Sequence, residues 1–321
     1  MKKLLKALLI SVLLLSMVGC SSSSDETVKF HVGVVQLTQH DALDAATNGF
    51  VDTLKEEYGD AIEIDVKNAS GDSALCSTIA SGFVNENVDL IMANATPALQ
   101  ASASATNTIP ILGTAVTEYG IALDIDNFTG TTGTNISGTS DLANLEEQAQ
   151  MILDLIPSAK TVGILYCSSE ANSVYQVEVV KDYLTKKGIT VKEYAFTESN
   201  DISLVVGECC NNVDAIYIPT DNKCADCADT IDGVARPAGI PIICGEESTA
   251  SKCGVATQTI SYYELGVITG KMAIKILNGE ADVSTMPIEY YSDYYTETKK
   301  YNKQICSDLG IEIPSDYEEI E

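Results

Sequence analysis

The chain repeats itself, and that repeat limits what it can fold into more than any other feature. A short apolar segment, Val32-Gly33-Val34-Val35-Gln36, opens a series that returns further along as Val162-Gly163-Ile164-Leu165-Tyr166. Gly33 and Gly163 stand 130 positions apart, Asp89 and Asp214 stand 125 apart, and Pro110 and Pro241 stand 131 apart. In the first copy a helix is expected from about Asp41, with Leu43, Ala46, Phe50 and Leu54 on one face. Strands follow at Ile62–Val66, Val88–Ala93 and Ile109–Gly113. The second copy gives a helix with Val174, Val177, Lys181 and Leu184 inward, then strands at Thr190–Tyr194, Val213–Ile218 and Ile240–Cys244. Short apolar strands alternating with amphipathic helices form parallel sheets covered on both faces. The expected fold is α/β, with two similar Rossmann-like lobes joined by crossover segments. Ligands of such sheets sit beyond the carboxyl ends of the strands, so two facing lobes create one cleft.

The rest of the chain fits around the repeat. Gly130 to Asp141 is rich in Gly, Thr and Ser and suits a crossover. Glu264 to Leu277 reads as a helix with Leu265, Ile268, Met272 and Ile276 on one face, stopped by Asn278-Gly279 and returning to the first lobe. Residues 28–138 with about 262–284 are expected as lobe 1, and 139–261 with about 285–321 as lobe 2. Before them, Lys2, Lys3 and Lys6 precede an apolar run from Ala7 to Val18, too short to span a bilayer but of signal-peptide length. Met17-Val18-Gly19-Cys20, followed by four Ser, resembles a bacterial lipobox. Residues 1–19 are therefore read as a signal peptide and 20–27 as a lipidated Cys20 with its flexible spacer. Acyl chains on Cys20 would hold the protein at the outer face of the cell membrane.

The formal charge is −27, and loss of Lys2, Lys3 and Lys6 with the leader takes it to −30. So acidic a chain argues against nucleic acid and anionic lipid as partners. Neither G-x-S-x-G, H-E-x-x-H nor a complete G-x-G-x-x-G occurs, so no enzyme activity and no cofactor are expected. Gly266 to Met272 only superficially resembles a phosphate loop. Cys209-Cys210 and Cys224-Ala225-Asp226-Cys227 lie on different predicted segments with no His nearby, a poor fit to a structural zinc site. Nine cysteines besides Cys20 cannot all pair within the chain.

Several segments together resemble one family of ABC-transporter substrate-binding lipoproteins, associated with tryptophan and other aromatic amino acids. They are Val34 to Asp44, Ala95 to Ala98, Gly113 to Thr117, Gly138 to Asp141, Ser168 to Ser173, Tyr217 to Asn222, Gly245 to Ser248 and Tyr262 to Gly266. The resemblance runs through the mature chain in order and implies a type I periplasmic-binding-protein fold. It also implies an ABC permease with its ATPase as partners and a small-molecule ligand, an amino acid. Cys167 and Ser261 depart from the family, which usually has Asn and Asp there. A monomer is expected. Sugar or nucleoside binding on the same fold, and a sensing module without transport, stay open.

Nearly every matched segment follows a predicted strand on the cleft side. A free amino acid needs an anion cradle, a partner for its ammonium and a pocket for its side chain. Helix N-termini can cradle a carboxylate. Ser168, Ser169, Asn172 and Ser173 fit that role, with Thr139 and Ser140 as a second candidate, although such residues also cap helices. Asp221 is the first choice for the ammonium, then Glu246 or Glu247. Thr220 and Asn222 flank Asp221. Gln36, His40, Asp44, Thr96 and Thr117 would line the opposing lobe. Tyr262 would stack on an aromatic ligand or pack at the hinge.

Overall fold

The computed structural model describes residues 28–320, so the expected leader, Cys20 and its spacer lie outside the described residues. The first half runs β1 (Phe30–Gln36), α1 (Asp41–Tyr58), β2 (Ile62–Asn68), α2 (Ser73–Glu86), β3 (Leu90–Asn94), α3 (Thr96–Ala105), β4 (Ile111–Val116), α4 (Tyr119–Ala122) and β5 (Ile136–Ser140). The second runs α5 (Leu145–Leu155), β6 (Thr161–Cys167), α6 (Ala171–Lys186), β7 (Thr190–Phe196), α7 (Ile202–Cys210), β8 (Ala215–Ile218), α8 (Asn222–Asp226), α9 (Ala228–Ala235), β9 (Ile242–Cys244), α10 (Glu247–Cys253) and β10 (Ala256–Thr259). Then come α11 (Tyr262–Leu277), β11 (Glu289–Tyr290), β12 (Thr298–Tyr301), α12 (Lys303–Leu309) and β13 (Glu318–Glu319).

Two sheets result, ordered β2-β1-β3-β4-β5-β11 and β7-β6-β8-β9-β10-β12-β13. Their first five strands follow one topology, so the internal repeat is a structural one. All pairings are parallel except β10 with β12. The repeated glycines show why the pattern persists. A Cβ at Gly33 would meet the Phe83 ring at 2.5 Å, and one at Gly163 would meet Cys209 Sγ at 2.5 Å. Each central strand thus dispenses with a side chain where the helix after the next strand presses on it. Cys209 is a packing residue at that point, and all nine described cysteines are free thiols.

Leu43, Ala46, Phe50 and Leu54 are buried as expected. On α6 the inward face is Val177, Val180 and Leu184, whereas Lys181 is exposed and pairs with Glu193 at 2.6 Å. That helix is rotated by about one residue from the expected phase, which leaves the Lys stem free to reach β7. The crossovers also fall slightly later than expected. Thr139 and Ser140 belong to β5 in the first sheet, where Thr139 Oγ1 lies 2.8 Å from Thr269 Oγ1 of α11. Glu289–Tyr290 extends that same sheet beyond residue 284.

α1 and α11 pack closely against each other through glycines. A Cβ at Gly266 would overlap the Ala46 carbonyl, one at Gly49 the Tyr263 carbonyl, and one at Gly270 would reach Thr53 Cβ at 2.7 Å. The Gly266-to-Gly270 spacing is therefore a helix-packing device, and it fixes the start of α11 at the cleft. Among the described residues no helix is long and apolar enough to cross a membrane.

Candidate functional site

The carboxyl ends of the two sheets face each other, and the lobes touch there. His40 Nε2 donates to Asn222 Oδ1 at 3.3 Å, since the Asn222 amide nitrogen is turned toward Glu170. Thr38 Oγ1 donates to the Asp226 carboxylate at 3.1 Å. Behind these contacts lies a small chamber. His40, Ala42, Leu43, Ala115 and Tyr262 line it from one side, Asn172, Thr220, Asp221, Asn222, Ala225 and Glu246 from the other, and Asp141 from the first crossover. Ala115 holds φ at 52° and Ala95, just before α3, holds 88°. Such left-handed backbone costs roughly 1–3 kcal/mol per non-Gly residue and tends to be kept at functional sites.

Four buried carboxylates stand at or under the chamber, and they do different work. Asp221 Oδ2 accepts from Cys167 N at 2.7 Å, and its Oδ1 accepts from Cys224 N at 2.8 Å to cap α8. Glu246 accepts from Ser248 N and Thr249 N, each at 2.6 Å, and from the Thr249 hydroxyl. Glu170 accepts from Asn222 Nδ2 at 2.6 Å, from Asn222 N and from Lys223 N. Burial, and then the neighbouring Asp221 carboxylate, push Glu170 up to about 8 against the pull of those donors. Asp141 differs. Its Oδ2 accepts from Tyr262 OH at 3.0 Å, while Oδ1 is buried with no partner. Burial raises its pKa, opposed by the nearby Thr117 side chain and by the hydrogen bond from Tyr262.

Two more chamber residues leave a polar atom unpartnered: His40 Nδ1 and Asn172 Oδ1. With Asp141 Oδ1, both lobes and the first crossover each contribute one. Buried polar groups are nearly always hydrogen-bonded, so three orphans in one small space point to a ligand that supplies the missing partners. The helix N-termini agree. α8 and α10 are capped by Asp221 and Glu246, whereas α1, α3 and α6 have no side-chain cap. Those three follow β1, β3 and β6, so their free N–H groups lie at the strand ends where an anion can be held.

The expected residues separate accordingly. His40, Asn172, Thr220, Asp221, Asn222, Glu246 and Tyr262 come together around the chamber. Gln36 instead donates to Asp44 at 2.6 Å and accepts from Thr47, a clamp within lobe 1 that also occupies Asp44. Thr139 is tied to Thr114 and Thr269 inside the lobe, and Ser140 donates to the Thr117 carbonyl at 2.8 Å. Thr96 is buried at the start of α3 with its hydroxyl unpartnered. Ser168 and Ser169 are exposed at the rim, and Ser173 is buried under Asn172. Glu247 turns away to pair with Lys300 at 2.8 Å. Asp141 and Glu170 were not among the expected contacts. An acid directly after a strand-and-crossover segment was the available signal for Asp141.

Residues 31–318 match the family model described as ABC transporter substrate binding protein. A tyrosine-binding protein of Clostridioides difficile strain R20291 is 34% identical over 305 residues, covering 89% of this chain and 87% of the relative. Among solved structures, a Streptococcus pneumonia ABC domain in complex with L-Trp is 35% identical, with a TM-score of 0.84 over 89% of this chain and 96% of that one. The ligand-free, open structure of a substrate-binding protein with adhesive properties from Clostridium difficile is 38% identical, with a TM-score of 0.69 over 91% of this chain and 99% of the other.

Proposed function

The chain belongs to the ABC transporter substrate-binding protein family, with a type I periplasmic-binding-protein architecture, and we propose that its cleft captures an aromatic amino acid for an ABC importer. The observation behind this reading is the set of unpartnered atoms in the chamber: Asp141 Oδ1, Asn172 Oδ1 and His40 Nδ1. Asp141, Asp221 and Glu246 line it with no Lys or Arg among the lining residues. Such a site suits a ligand that brings its own positive charge, and an ammonium is the natural donor to Asp141 and Asn172. Asp141 takes the role first expected of Asp221, whose two oxygens already serve backbone N–H groups. The ligand carboxylate would sit on the uncapped ends of α1, α3 or α6. Relatives that bind tyrosine and L-Trp support the aromatic class.

The lobes would close over the ligand as two bodies, 28–140 with 262–290 and the remainder, hinged at the crossovers. The higher TM-score against the Trp-bound relative than against the open one supports reading the present arrangement as closed. Closure lets a permease tell loaded from empty protein. The chain would act as a monomer without catalysis, held outside the membrane by lipid on Cys20. Cys20→Ser should then release it to the soluble fraction. The test of the ligand class is a thermal-shift screen of the mature protein against amino acids, sugars and nucleosides. A raised melting temperature with Tyr, Trp or Phe bears the proposal out, and a shift with sugars or nucleosides alone overturns it.

A further inference from the structure

Beside the chamber, toward the crossovers, lies a second cavity of about 360 Å³. Ala42, Glu246 and Tyr262 line both spaces, so the two adjoin across those three residues. The walls differ in character. Carboxylates line both, Asp41, Glu246 and Glu247 on the cavity side, but the cavity is also framed by Tyr262, Tyr263 and Tyr291 and by Ile260, and its Glu247 is paired with Lys300 at 2.8 Å. One polar group in it has no role in the fold. Ser248 is 9% exposed, and its Oγ is buried with no hydrogen-bond partner.

We infer that this cavity is the ring subsite of the amino acid whose ammonium sits at Asp141, and that Ser248 reads a polar atom on the ring. The inference rests on the aromatic amino acid proposed above as ligand. An aromatic ring packs well against other rings in offset or edge-to-face geometry, and the cavity offers three tyrosines where the chamber offers Tyr262 alone. The cavity volume lies at the lower end of the roughly 300–1,000 Å³ seen for small-ligand pockets. A phenol O–H or an indole N–H can donate to Ser248 Oγ. A phenyl ring cannot, and it would bury that hydroxyl unpaired. The site should therefore rank tyrosine and tryptophan above phenylalanine.

The test uses the mature protein, titrated calorimetrically with L-Tyr, L-Trp and L-Phe, with two variants alongside. Ser248→Ala should weaken tyrosine by about three- to tenfold and leave phenylalanine unchanged or slightly tighter, which narrows the ratio between them. Ala45→Leu places a larger side chain into the same cavity from a half-buried position on α1, where Leu suits a helix. It should weaken all three ligands at least about tenfold by filling the ring's space. Melting temperatures of both variants within a few degrees of the parent show that the fold is kept. If both variants bind tyrosine within twofold of the parent, the ring lies elsewhere and the inference is overturned, although the aromatic reading stands. If the parent binds no aromatic amino acid while another solute binds, that reading falls and the ring subsite falls with it.

Discussion

Tyr262 donates its hydroxyl to Asp141 Oδ2 at 3.0 Å, so the residue that opens α11 after the second crossover holds the carboxylate carried by the first. The bond leaves Asp141 Oδ1 for a ligand, and it ties two of the segments that must move when the lobes open. Asp141→Asn keeps the volume and removes the charge. Its affinity for an amino acid should fall by at least about tenfold, the loss expected of a charge-assisted hydrogen bond. Calorimetric titration reads this directly, and a Kd within twofold of the parent would take Asp141 out of the site.

Asp221 should behave in the opposite way. Its carboxylate satisfies Cys167 N and Cys224 N, both inside lobe 2. Asp221→Ala strands two buried donors and removes a helix cap, at a cost of about 2–4 kcal/mol in urea unfolding. A smaller loss of stability, together with loss of binding, would return Asp221 to the role of ammonium partner.

Glu170 gives the fold a pH dependence whose sign can be worked out. Its folded pKa of about 8 lies above the ordinary carboxylate value. Between those two values the native state holds a proton that the unfolded chain has lost. Stability therefore falls as pH rises through that window, by up to about 1.4 kcal/mol per unit from this one group. Asp141, raised by burial, adds to the fall at the lower end. Glu170→Gln should flatten the slope between pH 5 and 8 in denaturant titrations. An unchanged slope would show that Glu170 is ionised in the folded protein throughout.

The contact between α1 and α11 sets a steric limit. Gly266→Ala puts a methyl group into the Ala46 carbonyl and should cost about 1–3 kcal/mol, more if the helices cannot shift. Because Tyr262 starts α11, ligand affinity should weaken along with stability. A neutral Gly266→Ala would mean that the helices are less tightly packed than they stand.

How much of this was legible beforehand divides by physical cause. The strand order followed from the repeat, because parallel βα units of one design leave matched apolar runs at matched offsets. Helix phase was legible where both faces contrast, as in Leu43 to Leu54. It slipped by a residue on α6, where Lys181 interrupts the inner pattern and its long stem fits either edge. Asp221, Glu246 and Asp141 are all acids after strands, and position alone cannot say which one is spent on a cap. The separation came only from knowing that Cys224 N and Thr249 N point at the first two. Gly266 and Gly270 were visible as a spacing, but the residues they pack against, Ala46 and Thr53, lie more than two hundred positions away in the chain. No local pattern connects them.

The most direct test of the central claim is an equilibrium titration of the mature protein with L-tyrosine and L-tryptophan, set against their N-acetyl derivatives. Binding near micromolar, about −8 kcal/mol, is expected for the free amino acids. It should be lost on acetylation, because the acetyl group removes the charge that Asp141 and Asn172 await. Equal binding of the acetylated ligands, or tighter binding of a sugar or nucleoside, would contradict the assignment of this cleft to an aromatic amino acid.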